Sequence, residues 1–216
     1  MRYKAVLFDL DGTLLNTIED LADAMNTSLA SLHMPKLTIK QCKSMVGEGR
    51  EAFAREALPE NERDAQTIKQ CVQLMTQAYS KNWAEKTRPY DGVVEMLAAL
   101  AEVPVKLAVL SNKYDESVKQ AVAHFFKADS FALVRGALDG VPRKPDPTSA
   151  LQMAGELDCV PGDVLYLGDT DTDMQTAVSA GMFAVGALWG FRSAEELADN
   201  GASALIGSPM ELLGLL

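Results

Sequence analysis

The sequence is poor in cysteine and histidine, and this scarcity excludes several kinds of site. Among its 216 residues it holds three cysteines and two histidines. Cys42, Cys71 and Cys159 are widely spaced and form no C-x-x-C pair, so neither a zinc site nor a dithiol redox site is predicted. An odd number of scattered thiols is typical of reduced, structural cysteines, and we expect a cytoplasmic protein.

Long apolar runs and an excess of positive charge are also absent. No stretch approaches the roughly 20 apolar residues of a membrane helix, and the short N-terminal apolar segment runs into acids, unlike a signal peptide. The net charge is -10, from 20 basic and 30 acidic residues. A nucleic acid or an anionic membrane is therefore not expected as a partner, because both require a basic face. A small anionic ligand remains open, since it needs only a local positive pocket.

The residues that are present describe a folded α/β protein. Hydrophobic residues make up 48% and charged residues 23%, which excludes disorder as the main state. Short apolar strands are predicted at 4–10, 105–110, 164–167, 183–188 and 204–207. Helical patterns lie between them at 93–101, 116–126, 147–157 and 172–180. This alternation predicts a Rossmann-like parallel sheet with helices on both faces.

One region breaks the alternation, because residues 16–83 contain no predicted strand. Apolar residues recur at helical spacing through 18–32, where Thr17 and Asp20 resemble a capping box, and 64–83 is a second helical candidate. The region is too long for a loop, since structureless loops beyond about 15 residues are uncommon. We therefore predict an α/β core domain of 1–15 and 84–216, with an inserted helical domain of 16–83.

Polar residues gather where the predicted strands end. Ligands of a parallel sheet bind at the carboxyl ends of its strands, so separate chain positions are expected to meet at one edge. The residues concerned are Asp9 and Asp11, Ser111 and Asn112, Lys144, and Asp169, Asp171 and Asp173. Each acidic segment alone could be a turn or a helix cap. Their coincidence with Ser111 and Lys144 favours a functional site.

The acidic residues of this group predict a divalent cation. Asp9 and Asp11 are two apart, so in a continuing strand they point to the same face. Two unit charges at about 4 Å repel by ~4 kcal/mol at an effective dielectric of 20, so a cluster that includes Asp169 needs a cation or raised pKa values. Carboxylate oxygens without a neighbouring histidine favour Mg2+ over zinc.

Four segments resemble, in order, the motifs of the haloacid dehalogenase superfamily. They are Asp-Leu-Asp-Gly-Thr at 9–13, Ser-Asn at 111–112, Lys-Pro at 144–145 and Gly-Asp-Thr-Asp-Thr-Asp at 168–173. The resemblance covers essentially the whole chain. It is strongest to the phosphoglycolate phosphatase group, which shares the position of the helical insertion, a Val-Gly-x-Gly turn like that at 46–49 and a Trp-Gly-Phe segment like that at 189–191. The insertion is similar to the C1-type helical cap of the family, and 127–143 is too short for the other type of cap.

The resemblance implies a phosphoric monoester hydrolase and a role for each motif residue. Asp9 would be the nucleophile that forms an aspartyl-phosphate. Asp11 would protonate the leaving alcohol and then activate water. Lys144 would pair with Asp9 and with the phosphate.

The resemblance also implies how Mg2+ and phosphate are held. Metal ligands would be Asp9, the main-chain carbonyl of Asp11 and Asp169, with Asp173 in support. The Ser111 hydroxyl and the Asn112 backbone N–H would bind phosphoryl oxygens, and Gly12 would allow the tight turn. For Asp171 two interpretations stay open, a part in this site or a charge at a helix N-terminus.

In the cap, the glycine-rich turn ends at Arg50, a candidate specificity residue. Its guanidinium could bind a substrate carboxylate, and the alternative is an ion pair with Glu48 or Glu51 on a solvated face. Lys113, beside the second motif, could face the entrance. The two histidines are interpreted as structural.

We expect a Mg2+-dependent phosphatase of a small phosphorylated metabolite, with 2-phosphoglycolate favoured, acting as a monomer or homodimer. A β-phosphoglucomutase-like phosphotransferase or an inorganic pyrophosphatase would share the same core. Dehalogenation is disfavoured because a halide needs no proton donor such as Asp11. A phosphonatase would need a cap lysine that forms a Schiff base, and Arg50, which stands at about the relevant turn, cannot serve. A regulatory module that merely keeps the fold would have lost the nucleophile or the acid, and neither is lost.

Overall fold

The computed structural model describes residues 2–216 and divides into two compact units. The larger unit comprises the residues up to Leu15 together with Pro89–Leu216, and the smaller one is Asn16–Arg88. Two short strands, β2 (Leu15–Asn16) and β3 (Arg88–Pro89), pair with each other where the chain leaves and re-enters the larger unit. Within the described part of the chain, no helix combines the length and the apolar character needed to cross a membrane.

A six-stranded parallel sheet forms the centre of the larger unit. Its strands are β1 (Ala5–Phe8), β4 (Lys106–Tyr114), β5 (Leu133–Ala137), β6 (Val164–Gly168), β7 (Phe183–Ala187) and β8 (Ala204–Ile206), in the spatial order β5-β4-β1-β6-β7-β8. Every residue of β1 and β6 is buried, as expected of central parallel strands. The chain runs outward in both directions from β1, so the carboxyl ends of β4, β1 and β6 form the switch point where ligands bind in such sheets.

Helices pack around this sheet and confirm the predicted α/β class. They are α5 (Val93–Leu100), α6 (Asp115–Phe125), α7 (Thr148–Glu156), α8 (Asp171–Ala180) and α9 (Ala194–Asp199), with 3-10 turns at Pro161–Asp163 and Pro209–Leu215. Met153 of α7 and Met174 of α8 join Leu7 and Tyr166 of the sheet in one buried cluster. Phe8 contacts Phe131 with ring centroids 6.2 Å apart.

The smaller unit is helical and has its own buried residues. Its helices are α1 (Ile18–Ser31), α2 (Ile39–Met45), α3 (Arg50–Ala57) and α4 (Ala65–Asn82), with a 3-10 turn at Glu60–Glu62. Met25, Leu29 and Cys71 are completely buried between α1 and α4, where the Ser28 hydroxyl donates to the Cys71 carbonyl at 2.9 Å. Both helices predicted in this region are present. The domain limits predicted from the sequence stay a prediction.

Two local predictions are wrong. Thr17 does not cap α1 through its side chain, and its backbone is already near-helical at φ -103° and ψ -2°. The Asp20 carboxylate instead accepts the backbone N–H groups of Lys86 and Thr87. The sequence also missed β5, an edge strand that includes Arg135 and is mostly half-buried, so it lacks the apolar pattern of the central strands.

Candidate active site

Three carboxylates from two neighbouring strands meet at the switch point. Asp9 directly follows β1, Asp169 directly follows β6, and Asp173 lies in the first turn of α8. One oxygen from each lies within 4.8 Å of the others, and all three residues are buried. The structure therefore brings together acids that the sequence placed at two separate strand ends.

Lys144 supplies a positive charge to this cluster. Its Nζ donates to Asp9 Oδ1 at 2.8 Å, to Asp173 Oδ1 at 2.6 Å and to the Leu110 carbonyl at 3.2 Å. Burial by itself lowers the pKa of Lys144, but attraction to Asp173 and Asp9 outweighs burial and raises the pKa well above its ordinary value. The side chain is therefore an ammonium that neutralises part of the negative charge.

Asn112 holds the backbone that carries Lys144. Its Nδ2 donates to the Lys144 carbonyl at 3.0 Å, and the Lys144 N–H donates to Asn112 Oδ1 at 2.9 Å. Lys144 lies in a loop, outside any helix or strand. The amide of Asn112, at the carboxyl end of β4, thus substitutes for the secondary structure that would otherwise fix this loop.

The electrostatics of the cluster favour a divalent cation. Burial, followed by the charge of Asp173, raises the pKa of Asp9 to about 7 against the opposing effect of Lys144. Burial and the neighbouring carboxylates raise the pKa of Asp169 well above its ordinary value. The Lys144 ammonium contacts two of the three carboxylates, which leaves negative charge in excess. Carboxylate oxygens are hard ligands, so the residues fit a Mg2+-type ion.

Asp169 is held from two sides. Its Oδ1 accepts the Thr13 hydroxyl at 2.7 Å, and its Oδ2 accepts the Phe191 N–H at 2.9 Å. A Cβ at Gly12, where φ is +98°, or at Gly190 would overlap with the Asp169 carboxylate. Both glycines are therefore required by close approach of the backbone to this side chain.

Asp173 organises the loop around the other acids. Its Oδ2 accepts the Thr170 hydroxyl at 2.6 Å and the backbone N–H groups of Thr170 and Asp169 at 3.0 and 3.2 Å. Its Oδ1 accepts Lys144 and, at 3.3 Å, the Tyr166 hydroxyl. Protein donors thus engage both oxygens, so Asp173 supports Asp169 and Lys144 through hydrogen bonds.

Comparison with known proteins identifies the family. The sequence model of haloacid dehalogenase-like hydrolases matches residues 6–187. This chain belongs to that family. Phosphoglycolate phosphatase of Nitrosospira multiformis is 31% identical over 99% of this chain and 95% of its own length. Phosphoglycolate phosphatase of Xylella fastidiosa is 32% identical over 89% of this chain and 83% of its own length. The crystal structure of a predicted phosphoglycolate phosphatase from Haemophilus somnus superposes with a TM-score of 0.92, at 25% identity, covering 100% of this chain and 98% of the other.

In this haloacid dehalogenase-like hydrolase, the local structure around Asp11 differs from the one predicted from the sequence. Strand β1 ends at Phe8, so the premise of a continuing strand through Asp9 and Asp11 is wrong. The Asp11 carboxylate accepts from Lys113 Nζ at 2.9 and 3.2 Å, and both side chains are largely buried. The sequence predicted that Lys113, beside the second motif, could face the entrance, and it gave no sign of this pairing with Asp11.

The remaining predicted residues have other neighbours. Ser111 is buried, and its hydroxyl oxygen accepts the Lys113 N–H at 3.3 Å. Asp171 pairs with Arg192 at 3.3 Å, a partner that the sequence did not indicate. Arg50 begins α3, where it donates to the Thr76 hydroxyl at 3.3 Å and lies 3.9 Å from a Glu51 oxygen.

Proposed function

We propose that this hydrolase is a Mg2+-dependent phosphatase that converts 2-phosphoglycolate to glycolate and phosphate through an aspartyl-phosphate. The observation that carries the proposal is the buried Asp9 carboxylate, which contacts the Lys144 ammonium and shares its cluster with Asp169. A carboxylate at a sheet switch point, beside a fixed cation and a site for a metal, suits nucleophilic attack on a phosphate ester. Relatives that match most of this chain are named phosphoglycolate phosphatase, which supports phosphoglycolate as the substrate.

The first step transfers the phosphoryl group to Asp9. An Asp9 oxygen bonds to phosphorus, the ester P–O bond breaks, and the departing alcohol oxygen takes the proton of the Asp11 carboxyl group. Lys144, the Ser111 hydroxyl and the Asn112 N–H bind the phosphoryl oxygens. Mg2+, held by Asp9, the main-chain carbonyl of Asp11 and Asp169, would offset the repulsion between the carboxylate and the anionic phosphate.

The second step releases phosphate. Water gives a proton to the Asp11 carboxylate while its oxygen bonds to phosphorus, and the bond between phosphorus and the Asp9 oxygen breaks. Asp9 returns as a carboxylate and Asp11 as an acid, so the cycle closes without another reactant. Asp173 holds Lys144 and the backbone of Asp169 through both steps.

Replacing the nucleophile tests the mechanism. Asp9→Asn removes the charge and nucleophilicity of the side chain but keeps its shape, so turnover of phosphoglycolate should fall at least a thousandfold, to background. Circular dichroism should show an unchanged fold. Asp199→Asn, at the exposed end of α9, is the matched control and should keep full activity. Substantial turnover by Asp9→Asn would contradict the covalent mechanism.

A panel of phosphate compounds, assayed with Mg2+ and with EDTA, tests the substrate. Phosphoglycolate should have the highest kcat/KM, and EDTA should abolish the activity until Mg2+ is restored. A preference for glucose 1-phosphate or for pyrophosphate would assign the chain instead to the phosphotransferase or pyrophosphatase alternatives. The cytoplasmic location stays a prediction.

A further inference from the structure

Residues 189–192, which we call the closing segment, lie between β7 and α9 and contact the loops that follow β1 and β6. Trp189 Nε1 donates to the Thr13 carbonyl at 2.9 Å, and the Phe191 N–H donates to Asp169 Oδ2 at 2.9 Å. Arg192 pairs with Asp171 at 3.3 Å. One short segment thus joins both loops of the candidate active site.

The backbone of the closing segment packs directly on Asp169. A Cβ at Gly190 would overlap with the Cβ and the carboxylate of Asp169, which has no exposed surface. Because Phe191 donates to one oxygen and Thr13 to the other, the carboxylate plane is fixed from two sides. Each oxygen keeps a further lone pair that it can offer to a cation.

We propose that the closing segment is a positioning element that orients Asp169 for the divalent cation and so sets the affinity for Mg2+. The inference rests on the metal site of the proposed function. Mg2+ demands near-ideal ligand geometry, so a small rotation of one carboxylate weakens binding. Groups that orient metal ligands through hydrogen bonds typically contribute 10–100-fold in affinity.

Two variants act on the closing segment by different routes. Gly190→Ala inserts a methyl group against the Asp169 carboxylate, and Trp189→Phe removes the indole N–H while keeping an aromatic ring. Gly155→Ala, in α7, is the matched control for the first, because a Cβ at Gly155 meets nothing within 4 Å. Trp83→Phe, in the helical unit, is the control for the second, since the chain has two tryptophans.

Metal affinity is measured without substrate, from the EPR signal of free Mn2+ and its displacement by Mg2+. Gly190→Ala should raise the dissociation constant at least tenfold and Trp189→Phe about threefold or more, with both controls within twofold of wild type. At saturating Mg2+, the kcat and KM of Trp189→Phe for phosphoglycolate should return to within threefold of the wild-type values.

The outcomes separate the positioning proposal from the proposed function. Wild-type dissociation constants in folded Gly190→Ala and Trp189→Phe would overturn the positioning role, as would a fall in melting temperature in EDTA with no change in affinity. If Gly190→Ala does not fold, Trp189→Phe decides. A wild-type protein that binds Mn2+ and Mg2+ but hydrolyses no phosphate ester would overturn the proposed function and leave this inference standing.

Discussion

At the scale of single residues, pairs of side chains determine which groups are available for chemistry. Lys113 Nζ contacts both oxygens of Asp11, and Lys144 Nζ contacts Asp9 and Asp173. Each lysine holds an aspartate side chain in one orientation, which matters because a proton donor or nucleophile must be positioned before the substrate reacts. The site is thus a set of fixed pairs around an acidic cluster.

Arg50 was predicted from the sequence to bind a substrate carboxylate, and the proposed preference for phosphoglycolate makes that role testable. A guanidinium–carboxylate contact contributes roughly 1.5–3 kcal/mol, about tenfold to over a hundredfold in kcat/KM. Arg50→Ala should lower kcat/KM for phosphoglycolate at least tenfold. It should change that for p-nitrophenyl phosphate, which has no carboxylate, by less than about threefold.

Arg55→Ala, an exposed position on the same helix, is the control and should leave both substrates unaffected. Equal losses on the two substrates would give Arg50 a structural role, in line with its contacts to Thr76 and Glu51.

At the scale of elements, α1 is tied to the segment that precedes β3 by one buried carboxylate. Asp20 accepts the backbone N–H groups of Lys86 and Thr87 and, at 2.8 Å, the Thr87 hydroxyl. The acid is 4% exposed and Thr87 is buried beside it, so the two Thr87 donors have no ready replacement in water. A residue that looks like part of a local cap therefore joins two segments of the helical unit that are far apart in sequence.

Asp20→Ala should destabilise the protein, because it leaves the buried N–H and hydroxyl of Thr87 without an acceptor. A loss of about 2–6 kcal/mol in the free energy of unfolding is expected, at roughly 1–3 kcal/mol for each of these two unsatisfied groups. Urea denaturation followed by circular dichroism measures it. Asp23 lies on the same helix as Asp20, and Asp23→Ala removes its exposed ion pair with Lys86. This variant should lose less than about 1 kcal/mol of stability. Equal losses for the two variants would refute the bridging role of Asp20.

At the scale of the whole molecule, the acidic cluster links stability to pH and to metal. The pKa of Asp9 rises from its ordinary 3.8 to about 7 in the folded protein, so the folded state binds more protons than the unfolded state between those values. Stability without metal therefore falls as pH rises through this window, since the buried carboxylate must ionise. A divalent cation bound to the ionised form would reverse the loss.

The melting temperature in EDTA should accordingly be lower at pH 8 than at pH 5.5. The increase on adding Mg2+ should be larger at pH 8 than at pH 5.5. Differential scanning calorimetry measures both, and Asp169→Asn should remove most of the Mg2+ effect. An equal rise in melting temperature on adding Mg2+ at both pH values would contradict the link between the ionisation of this cluster and metal binding.

The sequence by itself determined the parallel sheet, the helical insertion and the candidate acids. Strands such as β1 and β6 could be predicted because every residue in them is buried, so their apolar runs are continuous. The candidate acids could be predicted because parallel strands end at the same edge of a sheet, whatever their separation along the chain.

Only the tertiary structure decided how those acids are held. Asp169 is oriented by Thr13 and by the backbone N–H of Phe191, which are 156 and 22 residues away in sequence. A backbone N–H is present in almost every residue, so the sequence cannot show that this one is a donor. The need for glycine at 190 is also hidden, because the Asp169 carboxylate comes against it only in the folded protein. Hydrophobic periodicity is a local property and survives in the sequence, whereas the partners of a buried carboxylate are chosen by packing between distant segments.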